Sequence, residues 1–300
     1  MQAVVMNVTG RPQVLRLGNV ERPQPGEGEI LIRVRAAAIN PVDWKYRRGV
    51  VERRLPAVLG EDISGTIVAS RADKFAAGDE VFGVASGGGY AEFAIASASA
   101  LAIKPAQLSH EQAAALPTSA MTAWQGLFDC GRLEQGQTVL VTGAAGGVGH
   151  LAVQLARCAG ARVIGSGSSR SRPFVLSLGA DDFISYSHQD AADTAGYVDV
   201  ALDTIGGSVA QSTAAAVRNG GILVTVAYPP ETPPRTTGVR VESLIMSPNS
   251  EQLTRIGDLV AAREVRVKIA EVLALSDVQR AHELSESRHV RGKIVLTIGT

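Results

Sequence analysis

The sequence predicts an α/β protein of two domains, a compact β-rich domain and a doubly wound parallel sheet. Three observations carry this reading. The 300 residues exceed what one small core needs and suit two domains of ordinary size. Up to about residue 112, short alternating runs are broken by turn residues, as in half-buried strands. Beyond Ser109, apolar runs alternate with helical periods, the pattern of βαβ units.

In order along the chain, residues 2–6 begin a strand pattern at once, and residues 29–34 form the next after the Pro and Gly punctuation of 23–28. Residues 64–69 and 79–83 add strands separated by polar turns such as Ala77-Gly78-Asp79, and together these make a barrel-like domain. The second region offers four short apolar strands, at 139–142, 162–165, 198–202 and 222–226. Between the first two, Val148, Leu151, Ala152, Leu155, Ala156 and Ala159 recur at helical spacing and form one stripe for packing on a sheet. Residues 229–234 are proline-rich and read as a surface loop at a strand end. Strand-like runs return after about 265 and end at 292–296, which assigns the tail to the β-rich domain. The expected limits are therefore 1–112 with 265–300 for the first domain and 113–264 for the second.

Composition narrows the functional classes. Apolar residues make up 45% and charged residues 19%, the range of ordinary folded α/β proteins. Basic and acidic residues cancel at 29 each, so no whole-molecule field favours nucleic acid or anionic lipid. Two cysteines, Cys130 and Cys158, cannot build a disulfide framework or a four-thiolate zinc site. With no leader pattern and no apolar run near the roughly 20 residues of a membrane span, a cytoplasmic protein is expected.

The sharpest motif is the run Val139-Leu140-Val141-Thr142-Gly143-Ala144-Ala145-Gly146-Gly147-Val148-Gly149, a strand passing through a glycine-rich turn into the helix described above. Glycine permits the tight turn and close approach to a pyrophosphate, and the free N–H groups at the helix start attract the anion. Gly143, Gly146 and Gly149 are spaced G-x-x-G-x-x-G rather than G-x-G-x-x-G. About 20 residues on, NAD-selective sites place an acidic residue on the ribose 2′-hydroxyl. This chain has Gly165-Ser166-Gly167-Ser168-Ser169-Arg170-Ser171-Arg172 there, hydroxyls and guanidinium groups suited to a 2′-phosphate. NADPH is therefore expected, with Gly143, Ala144, Gly146, Gly147, Val148, Gly149, Ser168, Ser169 and Arg172 among its contacts. A solvated Ser/Arg turn is the plainer alternative.

With these residues in view, the chain resembles the medium-chain dehydrogenases/reductases of the quinone oxidoreductase and ζ-crystallin type. The resemblance rests on Asn40-Pro41-Val42-Asp43-Trp44-Lys45, Leu59-Gly60-Glu61-Asp62-Ile63-Ser64-Gly65, Thr122-Ala123-Trp124 and the 143–149 turn, in that order, with 291–296 resembling the last strand. It implies a GroES-like catalytic domain beside a Rossmann cofactor domain, with the active site in the cleft between them. Lys293 in the last strand and Gly206, in Asp203-Thr204-Ile205-Gly206-Gly207, are expected among the cofactor contacts. Tyr186 resembles the family tyrosine near the adenosine phosphate, or is a strand residue. Zinc-bearing members carry a Cys after the third strand and a Gly-His-Glu segment; here Asn40 to Asp43 and Gly60-Glu61-Asp62 stand in those places, so no metal is expected.

Metal-free chemistry of this kind is hydride delivery from the nicotinamide to a quinone or an α,β-unsaturated carbonyl. Asn40, Lys45, Tyr46 and Thr122 are the expected catalytic residues. Asn40 either positions the cofactor or donates to a substrate oxygen, and Thr122 resembles the residue touching the nicotinamide. Many quinone reductases carry Tyr where Lys45 aligns, which leaves Lys45, Tyr46 or water as proton donor. Acceptor choice rests on the loops at 50–55 and 232–246. Cys158 is expected on the apolar helix face as a core filler, and His150 on the helix surface. No Ser-His-Asp constellation is legible. Family members commonly pair through the edge of the Rossmann sheet, and residues 222–227 are the expected edge of a homodimer. A non-catalytic NADPH-binding or structural protein, and more remotely an RNA-binding one, are the alternatives of another class.

Overall fold

A computed structural model describes residues 1–186, 198–230, 232, 234 and 236–299. His188 and Pro233, part of the expected proline loop, lie outside the described residues. The chain gathers into two units, Met1–Thr118 with Pro248–Arg263 and Val267–Thr300, and Ser119–Ser247 with Glu264–Arg266.

The first unit is mainly strand: β1 (Gln2–Met6), β2 (Leu15–Asn19), β3 (Glu29–Ile39), β4 (Ala57–Val58), β5 (Asp62–Ser70), β6 (Glu80–Val84), β7 (Phe93–Ser97) and β8 (Leu101–Ile103), with helices α1 (Pro41–Arg48) and α2 (His110–Ala114). The long β3 alternates buried and exposed positions at Arg33 and Arg35 before running wholly apolar from Ala36 to Ile39. It pairs antiparallel with both β5 and β7. Asn40 leaves β3 in extended geometry and starts α1, where the Asp43 carboxylate accepts the Asn40 backbone N–H at 2.8 Å. Gly49 ends the helix in the left-handed region at φ 73°.

The second unit continues with α3 (Pro117–Trp124), β9 (Thr138–Val141), α4 (Gly149–Cys158), β10 (Arg162–Gly167), α5 (Arg172–Ser177), β11 (Asp182–Ser185), β12 (Val198–Asp203), α6 (Gly207–Ala215), β13 (Val217–Thr225) and β14 (Arg240–Ser243). Its strands form one parallel sheet in the order β11-β10-β9-β12-β13-β14, the doubly wound order whose reversal lies between β9 and β12. Here the expected sheet edge is corrected. β13 is an inner strand between β12 and β14, so residues 222–225 are not an edge; β14, inside the presumed loop at 232–246, takes that place. The short run at 240–243 gives little strand signal in the sequence because it is only half-buried and follows a proline-rich stretch.

The last elements, α7 (Ser250–Ala261), β15 (Ile269–Ala274), α8 (Val278–Glu286) and β16 (Lys293–Thr297), belong with the first unit, where β16 pairs with β3 and β15. α7 joins that unit although the expected limits gave residues 250–261 to the other. Its Gly257 lies so close to Phe82 and Pro105 that a methyl group there would sit 3.1 Å from the Phe82 ring.

Candidate functional site

The glycine turn is built as its sequence requires. Gly143 leaves β9 at φ 58°, and a Cβ there would collide with the Thr204 hydroxyl. At Gly149, the first residue of α4, a Cβ would strike the Gly143 carbonyl. Around Gly146 a Cβ would meet only the Gly143 carbonyl oxygen, at 3.2 Å, so the outer side of the loop is open. An open loop at the start of a ten-residue helix fits a pyrophosphate, with backbone N–H groups and the helix's positive end as partners. Ala144 is completely buried and fixes the turn against the sheet. His150, expected on the surface, is completely buried instead, its Nδ1 2.8 Å from the Gly146 carbonyl oxygen. Cys158 departs the other way: it ends α4 in an exposed position, so it fills no core.

A second organiser of this region is Asp203, at the end of β12 and completely buried. Its carboxylate accepts from the Thr142 and Thr225 hydroxyls at 2.8 and 2.9 Å and from the Ile205 and Gly206 N–H groups at 3.1 and 2.9 Å. One acidic side chain thus ties together the ends of β9, β12 and β13. Gly206, at φ 85°, precedes α6. The sequence offered Asp203 only as a member of a loop; its role depends on two threonines 61 and 22 residues away.

Ser168, Ser169, Arg172 and Tyr186 are brought together around the ends of β10 and β11. The Ser168 and Ser171 hydroxyls lie 3.1 Å apart, those of Ser169 and Ser185 3.0 Å apart, and the Arg172 guanidinium donates to the Phe183 carbonyl at 3.1 Å. Arg172 is exposed, as is Tyr186 directly after β11. Two hydroxyls and a cation at the end of the second strand are the donor set a 2′-phosphate takes.

In the first unit the chemistry-bearing residues of five separate segments form a buried network. The Lys293 ammonium donates to the Asn40 side-chain oxygen and lies 3.6 Å from Asp62. The Asn40 amide donates to Asp62 at 2.9 Å, and the Thr118 N–H and hydroxyl reach the other Asp62 oxygen at 3.0 and 2.5 Å. Asp43 accepts from the Asn40 N–H, from the Tyr90 hydroxyl at 2.8 Å and from the Gly60 N–H at 3.3 Å. Burial pushes Asp43 up to about 6 despite these donors, and pushes Glu61 up to about 7 with Asp43 and Asp62 adding repulsion against the pull of Arg53. Burial lowers Lys293, opposed by Asp62 and Asp43. Asn40 and Lys293 are thus satisfied within the protein, and each is at most a few per cent exposed.

Lys45 and Tyr46 are half-buried on α1. The Lys45 ammonium sits 5.5 Å from the centre of the Trp44 ring, and the Arg53 guanidinium 5.2 Å from that of Tyr46. Arg53 also lies 4.0 Å from Glu61. Thr122, on α3, is almost fully buried. One further constellation was not legible: Ser64 Oγ, His110 and Glu80 line up at 2.8 and 3.3 Å from the ring nitrogens. Ser64 is completely buried and its hydroxyl donates to the Val81 carbonyl, so it staples β5 to β6 and offers no nucleophile.

Zinc finds no donor set among these groups. A lysine ammonium already holds Asn40 and Asp62, and among the described residues no three His, Cys, Asp or Glu side chains converge. Residues 26–106 match the family model for the alcohol dehydrogenase GroES-like domain, and residues 178–296 the model described as zinc-binding dehydrogenase. The chain is 32% identical to mouse quinone oxidoreductase over 99% of this chain and 98% of that protein. It is also 32% identical to the Arabidopsis thaliana NADPH-dependent alkenal/one oxidoreductase, over 99% of this chain and 79% of that one. The solved structure of the quinone oxidoreductase from Coxiella burnetii superposes with a TM-score of 0.92 at 34% identity, covering 100% of this chain and 99% of that chain.

Proposed function

Since this chain belongs to the zinc-free quinone oxidoreductase family of medium-chain dehydrogenases/reductases, and is thus an oxidoreductase using a nicotinamide cofactor, we propose that it prefers NADPH and reduces a quinone. The observation that carries the cofactor preference is the cluster of Ser168, Ser169 and Arg172 at the end of β10, where an NAD-selective site would hold a carboxylate. Gly143, Ala144, Gly146, Gly147, Val148 and Gly149 would hold the pyrophosphate, and Gly206 gives a bare backbone beside them. Tyr186 would lie along the adenosine phosphate. When bound, the reduced nicotinamide supplies two electrons as hydride. What the chain adds is orientation and electrostatics. Thr122 is assigned to contact with the nicotinamide. Asn40 and Lys293 act through the buried network, fixing the start of α1 and hence the placement of Lys45 and Tyr46.

A second reading, reduction of an enone, is favoured by the likeness to the alkenal/one oxidoreductase. Both acceptors accumulate negative charge on a carbonyl oxygen, so the same residues serve either. The test is oxidation of NADPH and NADH by the purified protein against a panel of quinones and enones with EDTA present. Metal-independent turnover of quinones with NADPH is expected. Turnover of enones alone moves the assignment to the second reading, and tight NADPH binding without any turnover rejects both in favour of a binding protein. We also propose a homodimer paired through the outer edge of β14.

A further inference from the structure

The first turn of α4 carries a histidine where packing alone asks for an apolar side chain. Leu151, Ala152, Val153, Leu155 and Ala156 beside it are all buried, and His150 among them is completely buried. Enclosing an imidazole is unfavourable unless its polar atoms find partners. Its Nδ1 lies 2.8 Å from the Gly146 carbonyl oxygen, and the His150 backbone N–H meets the same oxygen at 3.1 Å. A carbonyl only accepts, so Nδ1 carries the hydrogen. One residue thus supplies two donors to a carbonyl in the middle of the glycine turn.

Holding that carbonyl also sets the direction of a donor. The Gly146–Gly147 peptide is trans, so its C=O and N–H point opposite ways. With the C=O drawn inward by buried His150, the Gly147 N–H is turned to the outer side of the loop, where Gly146, Gly147 and Val148 are half-buried. That N–H has no hydrogen-bond partner among the described residues. Two adjacent glycines let such a peptide flip at little steric cost, and the flip would present a carbonyl oxygen to an anion in place of a donor. The other bonds of the turn do not prevent it. Ala144 N–H donates to the Ser166 carbonyl at 2.9 Å and Gly146 N–H to the Gly143 carbonyl at 2.8 Å, which fixes the peptides before Ala144 and before Gly146 and leaves the next one to His150.

Resting on the cofactor reading above, we propose that His150 is a positioning residue of the pyrophosphate site: by holding the Gly146 carbonyl inward, it keeps the Gly147 N–H turned toward the phosphate. Completely buried, the imidazole acts through the backbone and not by contact. Its contribution is to have the donor in place before the anion arrives, which lowers the ordering cost of binding. Because the pyrophosphate is common to NADPH and NADH, His150 sets affinity for both and takes no part in the choice between them. That separates it from Ser168, Ser169 and Arg172, which are assigned to the 2′-phosphate.

The wild-type protein supplies the first test. Long-range nitrogen-15 NMR correlation of the imidazole in cofactor-free protein should find the hydrogen on Nδ1; a ring protonated on Nε2 alone overturns the proposal whatever the variants do. By fluorescence titration, His150→Leu should lose roughly five- to tenfold in affinity for NADPH and NADH alike, and His150→Asn, whose amide N–H replaces the Nδ1–H, should recover most of it. The Gly147 amide signal should move downfield when NADPH is added to the wild type and to His150→Asn, and much less in His150→Leu. His150→Met takes the place of His150→Leu if the latter fails to fold. Unchanged affinity and an unchanged Gly147 shift in the donor-free variant sink this proposal alone, and a loss that His150→Asn does not restore assigns the ring to packing and sinks it too. A wild type that binds neither cofactor removes the cofactor reading, and this proposal with it.

Discussion

The His282 ring, on α8, is completely buried, and neither nitrogen has a hydrogen-bond partner among the described residues. The ring meets Tyr90 edge-on at 6.0 Å. Burial first, and the nearby Arg47 guanidinium second, lower it to about 3 from its ordinary 6.5. The depressed value means that the folded state refuses a proton the unfolded chain accepts. Stability from this group is present above about pH 6.5 and is lost as pH falls toward 3, by up to about 1.4 kcal/mol per pH unit. His282→Leu should therefore match or exceed the wild type at pH 7, by roughly 1–2 kcal/mol where the unpaired nitrogens are relieved, and gain further at pH 5. Urea unfolding at the two pH values checks this; equal differences at both would show that the ring finds a proton in the fold. At the same scale, Arg172→Glu should weaken NADPH by more than about tenfold and NADH far less, since it sets a carboxylate against the 2′-phosphate. Equal losses by fluorescence titration would place the phosphate elsewhere.

At the scale of elements, the turn between β9 and α4 joins fold and function. Gly149 has ordinary helical geometry, so its need for glycine comes from contact and not from backbone torsion: a Cβ there meets the Gly143 carbonyl, which is backbone and cannot swing aside. Gly149→Ala should cost about 1–3 kcal/mol and reduce affinity for both nicotinamide cofactors alike, measured by thermal unfolding and by titration. A variant that keeps full affinity would mean that the helix start can shift without disturbing the phosphate site. The turn was legible in the sequence because its glycines, the preceding apolar strand and the following helical stripe are all local. The Asp203 carboxylate that clamps the strand ends was not, because its partners Thr142 and Thr225 belong to other strands.

For the whole molecule, the sheet edge decides how copies could meet. β14 pairs on one side with β13, which leaves its other side as the edge of the described sheet. An edge strand offers main-chain groups to a second copy, and this one is short and carries the Arg240–Glu242 ion pair at 3.2 Å. Sedimentation at micromolar concentration should give a dimer; monomer throughout would refute pairing through this edge. No helix among the described residues is long and apolar enough to cross a membrane.

The sequence alone determined the order of the β-rich and βαβ regions, the glycine-rich turn and the family, because each is written in periodicity or in contiguous motifs. Tertiary structure decided the rest. Lys293 was expected beside the cofactor, yet its ammonium is buried against Asn40 and Asp62, residues 253 and 231 positions away. Arg53 was legible only as part of the loop at 50–55 and Glu61 only as part of a motif without metal ligands, since nothing local reveals that Tyr46 and Gly87 lie against the guanidinium or that two buried carboxylates press on Glu61. The difference is physical. Hydrophobic period and turn chemistry act over a few residues and can be read along the chain, whereas desolvation and charge pairing depend on which distant segments the fold brings within a few ångströms.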